Sequence, residues 1–337
     1  MFLSICIPTF NRTHCLNNCL NSIYISNLFF NCEFEVCISD NCSTEDVEKV
    51  VNSFKDKIKI KFKKNKQNLG LGKNIVESVS MAEGDYVWII GNDDLLLPNT
   101  LQKLFNLLSI HKDVDYFYIN SFHLNSKHVF SFEQPFNTKN LPKKMEKFSK
   151  KEISEKLDFF KLIKPEISFD FLLGMFLSVF KRKKWVENIN VINEKLISDS
   201  RLYSNFDNTC PHVKIFSYAF SNSKAYFQAE PLSVNLYGER EWGSLYPFVE
   251  IIRTPEVLDL YKKRGLSLFK YLYCKNFALR NFLPNLIKIL FFKKIDGLKY
   301  ISFRKHIFRN LLFPNIYLSI IYFIFRKIFK FKFIKIK

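Results

Sequence analysis

The chain has 337 residues, 47% of them hydrophobic and 17% aromatic, which excludes a disordered protein and allows one large core or two modest domains. Its 51 Lys and Arg outnumber 32 Asp and Glu for a formal charge of +19, a field that favours nucleotides, phospholipid headgroups or nucleic acid as partners. The eight cysteines form no Cys-x-x-Cys pair and several sit in apolar runs, so they read as reduced, buried thiols of a cytoplasmic protein, not as a zinc site or disulfide framework.

The first element is a strand over Phe2 to Ile7, stopped by Pro8; with no basic leader before it, the start is no signal peptide. A polar turn, Thr9 to Thr13, leads into a helix carrying Leu16, Leu20 and Ile23. Glu35 to Asp40 repeats the pattern of an apolar run ending in a carboxylate, and Ser43 or Thr44 is the expected cap of a helix with Val47, Val50, Val51 and Phe54. Ile58 to Phe62 is a third strand, and a helix with Ile75, Val76 and Val79 follows Asn68-Leu-Gly70. Tyr86 to Ile90 is a fully buried strand that ends in Gly91-Asn-Asp-Asp94. The order is βαβαβαβ, with polar residues at strand C-termini, where open α/β sheets bind ligands.

Adjacent carboxylates at the end of a buried strand repel each other unless a cation or several donors sit beside them. Asp93-Asp94 is therefore either an acidic turn after a core strand or a metal- or nucleotide-phosphate site. No Gly-x-Gly-x-x-Gly follows the first strand and no P-loop is present, so a glycine-rich helix start does not hold a pyrophosphate here. A divalent cation on Asp94, shared with Asp93, is the alternative counter-charge. Arg12 either pairs with a phosphate or lies on the surface.

Four runs, Ser4-Ile-Cys-Ile-Pro-Thr-Phe-Asn-Arg12, Val36-Cys-Ile-Ser-Asp-Asn-Cys-Ser43, Asn68-Leu-Gly70 and Gly84-Asp-Tyr-Val-Trp-Ile-Ile-Gly-Asn-Asp-Asp94, resemble in order and spacing the family 2 glycosyltransferases. Their wording is similar to the bacterial subgroup that includes O-antigen abequosyltransferases. The resemblance implies an inverting enzyme with a GT-A fold, a mixed sheet flanked by helices. It implies a nucleotide pocket lined by Pro8 and Thr9, with Asp40 accepting hydrogen bonds from the base and Asn68 nearby. Asn92 and Asp93 would touch the ribose, and Asp94, with Asp93, would hold Mn²⁺ or Mg²⁺. Asn92 stands where many relatives have aspartate; an amide still hydrogen-bonds a hydroxyl but contributes no charge.

Further along, Thr100 to Leu108 is a helix and Val114 to Phe122 a strand, with a possible helix over Ile153 to Ile163. Phe171 to Phe180 resembles the family's strand that closes the sheet under the acceptor sugar. Relatives often carry the general base in an acidic pair after the Asp-x-Asp segment. Here the candidates are Asp207, beside Phe206, and Asp199. His212 follows Pro211 and an apolar run follows it, which reads as a strand start; it is either a core histidine or, as in some GT-A enzymes, part of the metal shell. Trp242 either stacks on an acceptor sugar or caps the core.

Residues 281–337 hold thirteen Lys/Arg and one acid, Asp296, among large apolar side chains. The uncharged window from Asn310 to Phe325 is 16 residues and contains Pro314, short of the ~20 that a spanning helix needs. An interfacial anchor on an anionic membrane fits better, and no zinc spacing or recognition helix points to nucleic acid. The expected division is a GT-A domain over 1–250, its nucleotide half about 1–110 and its acceptor half about 111–250, and a basic helical region over 251–337. The expected function is transfer of a sugar from a UDP, CDP or dTDP donor to a lipid-linked saccharide of a bacterial surface polysaccharide, at the cytoplasmic face of the inner membrane. The alternatives are a silent nucleotide- or glycan-binding protein of the same fold and a nucleotidyltransferase.

Overall fold

A computed structural model describes residues 1–28, 30, 32–238, 241–291 and 297–329. The strands are β1 (Leu3–Thr9), β2 (Phe34–Asp40), β3 (Ile60–Lys64), β4 (Tyr86–Ile89), β5 (Asp94–Leu96), β6 (Tyr116–Asn125), β7 (Glu146–Lys147), β8 (Glu155–Asp158), β9 (Ser178–Lys181) and β10 (Lys224–Tyr237). The first four helices are α1 (Thr13–Asn27), α2 (Val47–Asn52), α3 (Leu71–Ser80) and α4 (Thr100–Ile110). One mixed sheet runs β3-β2-β1-β4-β9-β6-β10-β5, with β7 added to β6 and β8 to β10. β3, β2, β1 and β4 are parallel, and β9 enters antiparallel between β4 and β6.

The apolar runs of β1 and β2 are buried on both faces, as expected when helices cover a parallel sheet on each side. Alternation decides which side each residue serves. Leu3, Ile5 and Ile7 join Leu16, Leu20, Ile23, Leu101 and Leu104 in one apolar cluster. Cys6, Val87 and Ile89 face a second cluster with Ile75, Val79 and Phe216. The period-2 pattern of the strands thus separates α1 and α4 from α3.

Several elements differ from the sequence expectation. Residues 153–163 form β8 and a 3₁₀ turn, Phe159–Leu162, because pairing with β10 outweighs a marginal helical periodicity. The Phe171 to Phe180 run holds two 3₁₀ turns before β9, with Phe176 O accepting from the Trp88 indole at 2.8 Å. α2 is capped by Asp46, whose carboxylate accepts from the Lys49 N–H, while Ser43 and Thr44 brace other turns. His212 lies in a helix, Pro211–Ala219, not a strand: Pro211 occupies the first turn, where its missing N–H is harmless.

The C-terminal region is helical. Its first helices, Thr254–Lys263 and Leu268–Ala278, place Val257, Leu258, Tyr261, Cys274 and Ala278 in the same cluster as the sheet residues. Phe282, where an anchor was expected to begin, is fully buried among Phe248, Ile251, Ile252, Leu286 and Ile316. Beyond this core the surface is apolar: Phe269, Phe291 and Leu312 are 90%, 77% and 89% exposed. Among the described residues no single helix is long and apolar enough to cross a membrane, and one pair, Phe303–Asn310 and Pro314–Phe325, is bent by 83°.

α3 lies close against the chain at residue 208: a Cβ added at Gly72 would stand 2.6 Å from the Asn208 carbonyl oxygen and 2.8 Å from its Cα. Gly72→Ala is expected to destabilise the fold by about 1–3 kcal/mol. A lower urea midpoint with an unchanged m value would report this, and an unchanged midpoint would contradict the close approach.

Candidate functional site

The site forms where β1, β2 and β4 end. Thr9 and Asp40 are register partners, and the Asn41 N–H donates to Thr9 O at 2.9 Å. The chain then turns sharply: Asn11, Arg12 and Cys42 all hold left-handed backbone, at φ 53°, 66° and 64°. Such strain in non-glycine residues persists only where neighbours enforce it. Here the Asn11 N–H donates to Ser43 Oγ at 2.6 Å, and Asn11 Oδ1 accepts from the Thr44 N–H at 3.0 Å. The turns after β1 and β2 therefore hold each other.

Asp40 is fully buried. Its Oδ1 accepts from the Ser43 N–H at 3.0 Å and from the Ser43 hydroxyl at 2.5 Å, while Oδ2 is buried with no hydrogen-bond partner among the described residues. A buried acceptor without a donor is costly and marks a place where a donor belongs. Beside it the Asn41 amide donates to Asn68 Oδ1 and accepts from the Leu69 N–H, both at 2.8 Å. Asn74 spans the same strand ends, donating to Thr9 O at 3.2 Å and Ser39 O at 3.1 Å.

The acidic triplet is tied to this frame. The Asn92 amide donates to Thr9 Oγ1 at 2.9 Å, and the Arg12 guanidinium donates to Asn92 Oδ1 at 3.4 Å and Asp93 Oδ2 at 3.2 Å. Asp94 points into the protein: Oδ2 accepts from the Gly91 N–H at 2.6 Å and Oδ1 from the Asn235 amide at 2.7 Å. A Cβ at Gly91 would stand 2.6 Å from Asp93 Oδ1 and 3.1 Å from Asp94 Oδ2, so the carboxylates would have to shift to admit one. Asp94 is 1% exposed as a residue, whereas the Asp93 side chain retains 14%.

Among the described residues no three His, Cys, Asp or Glu side chains gather to hold a metal ion. The donor set nevertheless fits a hard cation that takes one or two carboxylates from protein and the rest from phosphate and water. Asp93, at the more exposed position, is better placed for that than Asp94, whose two oxygens already bind the fold. His212 does not join them. Its Nε2 lies 3.1 Å from Leu173 O, its ring packs edge-on against Phe216, and burial lowers its pKa to about 4. It is a neutral core histidine, a correction to its place in a metal shell.

Both expected bases are engaged by cations, and the Asp199 backbone lies beside Gly70 at the start of α3. Asp207 accepts from Lys214 Nζ at 2.7 and 2.9 Å and from the Asn193 N–H at 2.8 Å, with its side chain 4% exposed. Asp199 accepts from Arg201 at 2.9 and 2.6 Å and from the Ser204 hydroxyl at 2.7 Å, and the Arg201 hydrogen bonds hold its carboxyl well below the usual range. Proton removal by either would require separating it from its cation. Trp242 belongs to the 3₁₀ segment Glu241–Leu245, and its side chain lies outside the described residues. Sequence reasoning passed over Asn41, Asn74 and Asn235. The signal for the last was a lone amide inside the apolar run Leu232-Ser-Val-Asn235-Leu.

Residues 4–168 match the model of glycosyl transferase family 2, and this segment carries β2 to β8, nearly all of β1, and the strand-end residues from Thr9 to Asp94. The same stretch is similar to bacterial glycosyltransferases. Abequosyltransferase RfbV of Salmonella typhimurium is 40% identical over 116 residues, 34% of this chain and 34% of its own. Poly(ribitol-phosphate) beta-N-acetylglucosaminyltransferase TarS of Staphylococcus aureus is 30% identical over 112 residues, 33% of this chain and 19% of its own. The matched stretch thus spans no more than about a third of these two relatives. In three dimensions the likeness is longer: S. aureus TarS 1–349 in complex with UDP-GlcNAc superposes with a TM-score of 0.56 at 18% identity, covering 96% of this chain and 81% of that one. A mannosyltransferase from Pyrobaculum calidifontis in complex with GDP-Man and Mn²⁺ gives 0.50 at 14% identity, covering 86% and 73%. These superpositions establish the GT-A-like fold.

His212 supplies a pH test of the core. Between its folded value of about 4 and the ordinary 6.5, the unfolded chain binds a proton that the folded chain does not. Stability therefore falls as pH drops through that window, by up to about 3 kcal/mol. His212→Gln keeps a donor for Leu173 and is expected to remove this part of the dependence. Urea midpoints of both proteins at about pH 7 and about pH 4.5 measure it; parallel losses would contradict a neutral buried imidazole.

Proposed function

We propose that the chain is an inverting, metal-assisted glycosyltransferase that moves a sugar from a pyrimidine nucleotide donor (UDP, CDP or dTDP) to a lipid-linked saccharide during bacterial surface-polysaccharide synthesis. The observation that carries this reading is the orphaned Asp40 Oδ2 at the end of β2. A buried carboxylate oxygen suits the N3–H of uracil or thymine, or the exocyclic N–H of cytosine. The amide of Asn92, held by Thr9, lies at the next strand end but one and suits a ribose hydroxyl. Arg12 and Asp93 would then meet the diphosphate, the guanidinium directly and the carboxylate through a cation.

In that arrangement a bound Mg²⁺ or Mn²⁺ supplies counter-charge to the departing nucleoside diphosphate. Thr9, Asp40 and Asn92 hold base and ribose, and Arg12 fixes the diphosphate end. Orientation by fixed donors lowers the barrier because nothing has to reorganise as charge develops. The commitment of Asp199 and Asp207 to cations favours a second reading, a nucleotide- or glycan-binding protein of the same fold without turnover. Release of nucleoside diphosphate from a panel of nucleotide-sugars, with membrane extract as acceptor, separates the two. The nucleotidyltransferase alternative predicts pyrophosphate as product instead.

Asp40→Asn replaces one carboxylate oxygen by an N–H₂, so a donor faces a donor. Its affinity for UDP is expected to fall at least tenfold, about 1.4 kcal/mol, with the far-ultraviolet circular dichroism unchanged. Isothermal titration measures this, and an unaltered affinity for UDP, CDP and dTDP alike would remove the base from this pocket.

The reading also places the chain at the cytoplasmic face of the inner membrane, bound peripherally by the exposed apolar side chains of the C-terminal region and by its lysines and arginines. Each basic residue near an anionic surface contributes roughly 1 kcal/mol within a Debye length, and the apolar part resists salt. The full chain is expected to float with anionic vesicles and to be only partly released by salt. Equal recovery with anionic, neutral and no vesicles would overturn the membrane assignment.

A further inference from the structure

A basic cavity of about 330 Å³ lies apart from the strand-end site and shares no residue with it. Lys151, Glu155 and Lys156 line it at the start of β8, and Lys161, Lys164 and Glu166 line it beyond that strand. The volume falls within the ~300–1,000 Å³ of small-ligand sites. Four lysines face two glutamates, so the field inside favours an anion.

The pairing of these charges is uneven. Lys151 pairs with Glu155 and Lys156 with Asp113, while Lys161 lies 3.0 Å from Asp158. Lys224 also pairs with Asp158, at 2.6 Å, and Glu166 accepts from the Tyr273 hydroxyl. The Lys164 ammonium makes no hydrogen bond or ion pair among the described residues. Lys270, whose Nζ donates to Phe160 O at 2.5 Å, adds another cation from the C-terminal region. Burial lowers its pKa to about 8, and Lys164 and Lys161 act in the same direction. Asp158 and Glu166 thus meet four ammonium groups, and a bound anion would offset the excess.

The helix Leu268–Ala278 joins this charge to a bare apolar surface. Its Tyr273 reaches Glu166, and its Cys274 Sγ lies 3.4 Å from Ile163 O. Phe269 stands one turn before Tyr273 on the same helix face, and Leu268 and Leu272 are exposed near it. Large apolar side chains left bare together mark a contact surface. A soluble anion would satisfy the lysines and leave Phe269 in water. A phospholipid surface answers both, with phosphate for the ammonium groups and the acyl boundary for the phenyl ring.

We propose that the cavity seats the phosphate of an anionic phospholipid while Leu268, Phe269 and Leu272 enter the membrane interface beside it. The inference rests on the membrane placement proposed above and gives it a lipid class and a point of contact. Lys164 and Lys270 are the donors to the phosphate, and Lys161 adds charge at the same place. The seat joins residues of the middle of the chain to the C-terminal region, so the membrane contact extends beyond the tail.

The test uses the full chain and flotation on phosphatidylcholine vesicles that contain about one third phosphatidylglycerol. Lys161→Ala/Lys164→Ala is expected to lower the partition coefficient about tenfold or more, and Arg304→Ala/Arg309→Ala, which removes equal charge from the tail, about threefold or less. Phe269→Trp is expected to bring an indole to the acyl boundary, where brominated lipid quenches its emission beyond the wild-type level. Equal losses from the two double variants mean a diffuse field without a seat and overturn the inference. A Phe269→Trp chain that floats with no added quenching overturns it as well, and both results leave the membrane placement standing. Glycerol 3-phosphate that binds without vesicles, and loses its site in a Lys161→Ala/Lys164→Ala chain that still floats normally, assigns the cavity to a soluble phosphate and overturns the lipid seat. Failure of the full chain to float overturns the placement and this inference together.

Discussion

Two neighbouring carboxylates at the end of a buried strand must be kept from repelling each other, and the answer shapes everything around them. Asp94 is turned inward to the Gly91 N–H and the Asn235 amide; Asp93 is turned outward to Arg12. The inward bonds pin the end of β4 to β10, a strand more than a hundred residues later in the chain. The outward pair pins the same turn to the start of α1, where Arg12 itself holds left-handed backbone. Removing either tie would free one negative charge in a nearly dry setting, which is why the turn, the strand pairing and the helix start are a single unit.

The fold of the first hundred residues was legible because its signals are local. Apolar runs at β1, β2 and β4 ended in polar residues, and the helices between them carried spaced leucines, isoleucines and valines. The second half was less legible because its elements depend on partners. Residues 155–158 become a strand only through β10, and Pro211 starts a helix although an apolar run follows it. At the site, Asp40, Asn92 and Asp93 could be picked from the sequence, since each sits at a strand end. Asn41, Asn74 and Asn235 could not, because an asparagine announces nothing until the chain it bridges is in place. His212 misled for the same reason: its neighbours, Leu173 and Phe216, are apolar or backbone, and spacing does not reveal that.

The basic, aromatic tail looked in sequence like an appendage, and it is one only in part. The helices over 254–278 complete the core beneath the sheet, and Phe282 closes a second core. What remains outward is the apolar surface from Phe269 to Phe325, with cations interspersed. Core and surface roles alternate along the same helices, so composition alone could not separate them.

Glu256 has a bearing on how such chains diversify. It is buried, accepts from Arg253 at 2.5 Å and from Lys305, and lies 3.1 Å from His306, while Arg253 donates onward to Tyr203 O at 2.8 Å. Helix, tail and the segment that rests on α3 thus share one buried charge balance. A chain that kept residues 1–280 without this tail would retain the buried Arg253–Glu256 pair but leave the carboxylate without Lys305 and His306. Change in the tail is therefore coupled to the helix segment that carries Arg253 and Glu256, and the two must vary together.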